Sequence, residues 1–169
     1  DVPTNQLLKN YQNGKKNKYL EELYFQYGRY LLIASSRETS LPANLQGIWN
    51  DSEAPQWQAD YHTNINLQMN YWPAYETNLV ETADSLVDYI ESLREPGRIT
   101  FQKTWGIEPE EGDTESGWIV NCSNGPLGFT GNINSTASFT ATGAAFIAQN
   151  LYDYYKFTMD EEYLKEKIY

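Results

Sequence analysis

Between Lys18 and Ala34 the apolar positions Tyr19, Leu20, Leu23, Tyr24, Tyr27, Tyr30, Leu31 and Ala34 recur at the i, i+3, i+4, i+7 spacing of an α-helix. Phe25, Leu32 and Ile33 widen that stripe, which predicts a helix buried on more than one side. Residues 1–17, with Pro3, Asn13 and Gly14, read as a lead-in loop. A second helical pattern starts after Asn66, and Pro73 is expected to kink or restart it. Asn78 to Glu81 has the spacing of a capping box, and Leu79, Ala83, Leu86, Val87, Ile90 and Leu93 follow as one stripe. Pro96-Gly97 should end that run, leaving Ile99 to Trp105 as a separate short helix.

Residues 106–136 hold glycine at 106, 112, 117, 125, 128 and 131 and are expected to be irregular, with Gly117–Val120 as a short strand. From Thr140 a helix resumes, with Ala144, Ile147, Ala148, Leu151, Tyr152 and Tyr155 on one face. Asp160-Glu161-Glu162 opens another, its acids in the first turn where the helix dipole favours them, expected to run to Tyr169. The fold class is therefore all-α: broad-striped helices separated by long loops, as in part of a larger helical array. About 25 residues from Ser35 onward carry no sustained period. Loops of that length in a compact domain often carry function.

Composition narrows the partners. The chain has 169 residues with 12 basic and 23 acidic side chains, a net charge of −11, and no lysine or arginine cluster. A phosphate backbone or an anionic membrane would be repelled, so neither nucleic acid nor membrane is expected as a partner. No apolar run approaches the ~18 residues of a membrane span. Neutral ligands remain, sugars first among them. Tyrosine (14) and tryptophan (5) are abundant; most suit a helical core with one satisfied polar end, and a few at loop ends could line a groove. Cys122 stands alone, so no internal disulfide is available and the thiol reads as buried and inert. A single histidine without clustered acids or thiols gives no metal ligand set, and no cofactor is expected.

The densest chemistry lies in Asp60-Tyr61-His62-Thr63-Asn64-Ile65-Asn66-Leu67-Gln68-Met69-Asn70-Tyr71-Trp72. Side-chain amides offer a donor and an acceptor at fixed geometry, and flat rings beside them suit a sugar. The plainer reading is a turn and a buried helix with amides capping backbone ends. Asn64 and Asn66, two residues apart, face one side if the backbone is extended, where they can hold a water or a sugar hydroxyl. Glycoside cleavage needs an acid for the leaving oxygen and, with inversion, a base-activated water opposite. Asp60 is the carboxylate nearest the amides, though it equally suits a helix cap; Glu76 and Glu81 read as capping or solvated. His62 suits either a sugar contact or a structural role.

Three blocks add a resemblance: Ser35-Ser36-Arg37, Leu41 to Asn50, and Asp60 to Ala74. Leu93 to Arg98, Gly117-Trp118, Gly128 to Thr130 and Thr142 to Ala145 continue it. Together they resemble glycoside hydrolase family 95, the α-L-fucosidases with some α-L-galactosidases. The resemblance implies an (α/α)6 toroid, of which residues 18–169 would be the N-terminal portion, an incomplete segment. It further implies inversion, with a glutamate as acid and water activated by two asparagines, Asn64 and Asn66, backed by an aspartate. Neither the glutamate nor the aspartate has a counterpart here, and both are expected beyond Tyr169, so the chain alone should be inactive. Asp60, His62 and Trp49 are the expected substrate contacts, and a fucosylated glycan the expected partner.

Asp153-Tyr154-Tyr155 and the residues after Gly117-Trp118 lack histidines common in the family, which leaves L-galactosides open. The alternatives are a non-catalytic glycan-binding scaffold and a helical protein-interaction module. Apolar helix faces left uncovered would also favour self-association.

Overall fold

The computed structural model describes residues 2–107, 117–130 and 140–168. The chain runs α1 (Thr4–Gln12), α2 (Lys18–Ser35), β1 (Tyr61–His62), α3 (Asn66–Glu76), α4 (Asp84–Trp105), β2 (Ser123–Asn124), α5 (Gly143–Thr158) and a single turn α6 (Glu161–Tyr163). The class is all-α, with only a two-residue antiparallel pair of strands among the described residues. No helix there is long and apolar enough to cross a membrane.

The core lies where α3, α4 and α5 meet. Leu67, Tyr71 and Ala74 of α3 pack with Leu86, Ile90 and Leu93 of α4 and with Ile147 and Leu151 of α5. The i, i+3, i+4, i+7 stripe of α4 supplies the largest share, as its spacing predicts. Tyr71 is fully buried, and its hydroxyl ties three segments together. It shares a hydrogen bond with Ser36 Oγ at 2.7 Å, accepts from the Ala43 N–H at 2.8 Å, and lies 3.3 Å from Ser85 Oγ. The long loop after α2 is thereby fastened to α3 and α4.

Several expectations are corrected. Residues Thr4–Gln12 form α1, where a lead-in loop was expected over 1–17. Helix α2 starts where predicted and ends one residue later, at Ser35, but only Leu20, Leu32 and Ser35 are buried. Tyr24 is 80% exposed, and Tyr19, Phe25, Tyr27 and Tyr30 are also more than half exposed, because nothing among the described residues covers that face.

Pro96-Gly97 does not end a helix; α4 passes through both to Trp105. A Cβ on Gly97 would lie 2.6 Å from Ile119 O, so the missing side chain is what lets residues 118–119 pass close over the helix. Ile119 N–H donates to Gly97 O at 3.3 Å across that contact. Gly143, the first residue of α5, receives Val120 O in the same way, at 2.5 Å from a notional Cβ. The strand expected at Gly117–Val120 forms instead at Ser123–Asn124.

Pro73 likewise lies inside α3 without ending it. The capping box expected at Asn78–Glu81 is absent: Asn78 is left-handed at φ 58°, and the turn Val80–Ala83 has no side-chain cap. Asp160 does cap α6, its carboxylate accepting from Glu162 and Tyr163 N–H at 3.0 Å each. The chain continues past α6 as a wider turn, Leu164–Ile168. The expectations for Gly112, Gly131 and the helix end at Tyr169 lie outside the described residues.

Candidate functional site

The amide stretch enters through β1 and runs through the first two turns of α3. Tyr61 pairs with Asn124 and His62 with Ser123. One step further, Thr63 N–H donates to Cys122 O at 2.9 Å. The chain then turns, Ile65 adopting φ −171° and ψ −32°, and Asn66 becomes the first residue of α3. The backbone is thus not extended through both asparagines: Asn64 stands in the turn and Asn66 on the helix. Both are exposed, and among the described residues neither side-chain amide has a hydrogen-bond partner. Two free amides flank one tight turn, each able to donate and accept.

Asp60 and His62 are brought together. Asp60 Oδ1 bonds His62 Nδ1, both side chains being mostly shielded from solvent. A carboxylate accepts, so in this contact the His62 Nδ1–H is the donor and Asp60 Oδ1 the acceptor. The Trp57 indole stands edge-on to the imidazole, 5.9 Å between ring centroids at 74°. What aims it is a run of three left-handed non-glycine residues, Trp57 (φ 53°), Gln58 (φ 60°) and Ala59 (φ 48°). Each such residue costs roughly 1–2 kcal/mol, and runs of them are rare. Trp57 is 75% exposed, an aromatic face open beside the Asp60–His62 pair.

A cavity of about 440 Å³ opens beside this pair, lined among others by Leu41, Gln58, Asp60, Asn124 and Phe129. Its walls mix apolar surface with a carboxylate and amides, as a sugar requires. Trp49 does not line it. That ring lies over Gly47, where a Cβ would come within 2.7 Å of its edge, and lines a second cavity of about 260 Å³ with Leu32, Asn44 and Asn70. Asn44 borders both cavities. Asn70 Nδ2 donates to Ala43 O and Asn44 O at 3.2 Å each, which fixes the partition between them.

Burial raises the Tyr61 phenol to about 12 and also pushes the Cys122 thiol up. A buried thiol held protonated is a poor nucleophile, in keeping with the inert reading of Cys122. Among the described residues no three His, Cys, Asp or Glu side chains gather as a metal-ligating group. Sequence reasoning passed over Trp57, Gln58 and Phe129. Their signal was weak: nothing in Gln56-Trp57-Gln58 announces a left-handed run, and Phe129 reaches the cavity only through the fold.

A sequence model described as the glycosyl hydrolase family 95 catalytic domain matches residues 1–169. A probable alpha-fucosidase A of Aspergillus niger is 37% identical over 172 residues, covering 100% of this chain and 21% of the relative. Alpha-L-fucosidase 2 of Arabidopsis thaliana is 41% identical over 152 residues, covering 89% of this chain and 17% of the relative. The chain thus spans about a fifth of the length of these relatives.

Proposed function

The chain belongs to glycosyl hydrolase family 95, and we propose that it is one segment of an inverting exo-glycosidase acting on terminal α-L-fucosyl or α-L-galactosyl linkages of a glycan. Asn64 and Asn66 position the attacking water, Asp60 with its partner His62 contacts the sugar, and Trp49 meets it from the second cavity, which shares Asn44 with the first. The observation that carries this reading is the pair of exposed amides at the turn into α3. They follow Asp60 in the chain, which borders the cavity of about 440 Å³, though the amides themselves do not line it. The alpha-fucosidase names of the relatives support the substrate class.

An amide has no basic site of its own at neutral pH, so the water it holds must pass its proton to a carboxylate. Asp60 is engaged by His62 and is badly placed for that task. The general acid and the supporting aspartate are supplied by residues outside these 169, and the chain alone does not hydrolyse glycosides. By itself it also presents the uncovered aromatic face of α2, Tyr24, Phe25, Tyr27 and Tyr30 included, and associates with copies of itself. A light-scattering mass equal to the monomer at every concentration would refute that association.

The test is incubation of 2′-fucosyllactose with the 169-residue chain and, separately, with the full-length protein. The expected result is fucose release by the full-length protein only. Release by the short chain would place acid and base within these residues. Binding without cleavage by the full-length protein would leave a glycan-binding scaffold, and absence of binding a helical interaction module.

A further inference from the structure

Thr63 immediately precedes Asn64, and every polar group it owns is held. Its N–H donates to Cys122 O at 2.9 Å, and its hydroxyl donates to Asn121 O at 2.7 Å. Its carbonyl accepts from Gln68 Nε2 at 2.7 Å, and its hydroxyl oxygen accepts from Asn124 Nδ2 at 3.1 Å. The same Asn124 amide reaches Tyr61 O at 3.2 Å and Asn121 O at 2.8 Å. Thr63, Gln68 and Asn121 are fully buried, and Asn124 is 1% exposed.

This arrangement is poor value as a stabilising device. Gln68 Oε1, Asn124 Oδ1 and both polar atoms of the Asn121 amide have no partner among the described residues. Burying them so is unfavourable, and stability alone would favour apolar side chains at these positions. What the network does supply is direction. The strand pair beside it is only two residues long, too short to fix a turn by its own ladder. Asn124 bonds the backbone of Tyr61, its register partner on the opposite strand, the Asn121 carbonyl on its own segment, and Thr63, the residue that launches the turn. Gln68, in the first turn of α3, donates to the carbonyl of the same residue.

We propose that Asn124, acting with Gln68 through Thr63, is the positioning residue that aims the Asn64–Asn66 turn. The catalytic part of this proposal rests on the reading of those asparagines as water-holding groups. Asn124 borders the cavity beside Asp60, but its side-chain Nδ2 is committed to Tyr61, Thr63 and Asn121, so its role is exerted through Thr63. A misplacement of about 1 Å in a reacting group lowers turnover about 10²-fold, so slackening this clamp acts on kcat rather than on affinity.

The test compares Asn124→Leu, which keeps the shape of the side chain and removes its donors, with Thr63→Val, which removes only the hydroxyl. The second variant decides the matter if the first fails to fold. Asn150→Leu, at an equally buried amide on α5 with no partner for its own side-chain atoms, is the control for loss of a buried amide in general. Two readouts are taken on the full-length protein: hydrogen–deuterium exchange of the Thr63–Asn66 backbone, and kcat and KM on 2′-fucosyllactose.

The expected result is exchange faster by about tenfold and kcat lower by about 10²-fold, with KM unchanged, in Asn124→Leu and Thr63→Val but not in Asn150→Leu. Unchanged exchange in both test variants, or an equal loss in the control, overturns the proposal. If the full-length wild type cleaves nothing, the catalytic reading fails on its own, and the exchange arm still decides whether Asn124 holds the turn.

Discussion

Glycines 28 and 97 both lie inside helices, and alanine should act on them with opposite signs. In a helix interior alanine is favoured over glycine by about 1 kcal/mol, chiefly through the unfolded chain. At Gly28 a Cβ meets nothing within 4 Å, so Gly28→Ala should stabilise by about that amount. At Gly97 the Cβ would sit 2.6 Å from Ile119 O and 3.3 Å from two carbons of Trp118. Ordinary contact begins at 3.4 Å, so the backbone of residues 118–119 must retreat by most of an ångström.

That oxygen cannot swing aside as a side chain could. Its segment is held by Ile119 N–H to Gly97 O at 3.3 Å and by Asn121 N–H to Thr130 O at 3.0 Å. Overpacking of this kind costs about 3 kcal/mol at the upper end of its range, and the propensity gain offsets about 1 kcal/mol of it. The net loss is about 2 kcal/mol, or about 4–8 °C in Tm for a chain of this size. Thermal and urea unfolding followed by far-ultraviolet circular dichroism measure both variants side by side. A Tm raised by Gly97→Ala as much as by Gly28→Ala would refute the close crossing of residues 118–119 over α4.

Three further outcomes follow from the packing. Tyr71→Phe keeps the ring but strips the partner from the buried Ala43 N–H and Ser36 hydroxyl, and should destabilise by about 1–3 kcal/mol in urea titration. Met159, exposed and left-handed at φ 55° just after α5, occupies a position suited to glycine; Met159→Gly should stabilise by about 0.5–1 kcal/mol, seen as a higher urea midpoint. Alkaline pH should unfold the protein in step with tyrosine ionisation. Burial raises Tyr61 to about 12 and raises Tyr71, Tyr75 and Tyr89 as well, so their contribution is complete below the unfolded value of about 10 and is lost as pH climbs through the folded one. Tyrosinate absorbance should show a step coincident with loss of helical dichroism as these buried phenols ionise.

Hydrophobic spacing located α2 and the core face of α4 to within a residue or two, because period and stripe are local properties. It misjudged the burial of α2, since a stripe says which residues share a face and not what covers it. Pro96-Gly97 was misread for a related reason: the glycine serves a tertiary approach by residues 118–119, which local sequence does not announce. At the site, the block from Asp60 to Trp72 was legible through its chemistry and its resemblance. The partners of Thr63 were not, because Asn121 and Asn124 lie 58 and 61 positions away along the chain. The left-handed run at Trp57–Ala59 was equally hidden, since none of its residues favours that conformation.

The central claim is that two amides at the turn into α3 hold the attacking water. Proton NMR of the first anomer released from 2′-fucosyllactose tests it, using the full-length protein and its Asn64→Ala and Asn66→Ala variants. Inversion predicts β-L-fucose before any mutarotation, and each alanine variant should lose about 10²-fold or more in rate while still binding the sugar. An α-anomer released first, or an alanine variant cleaving at the wild-type rate, would contradict the account.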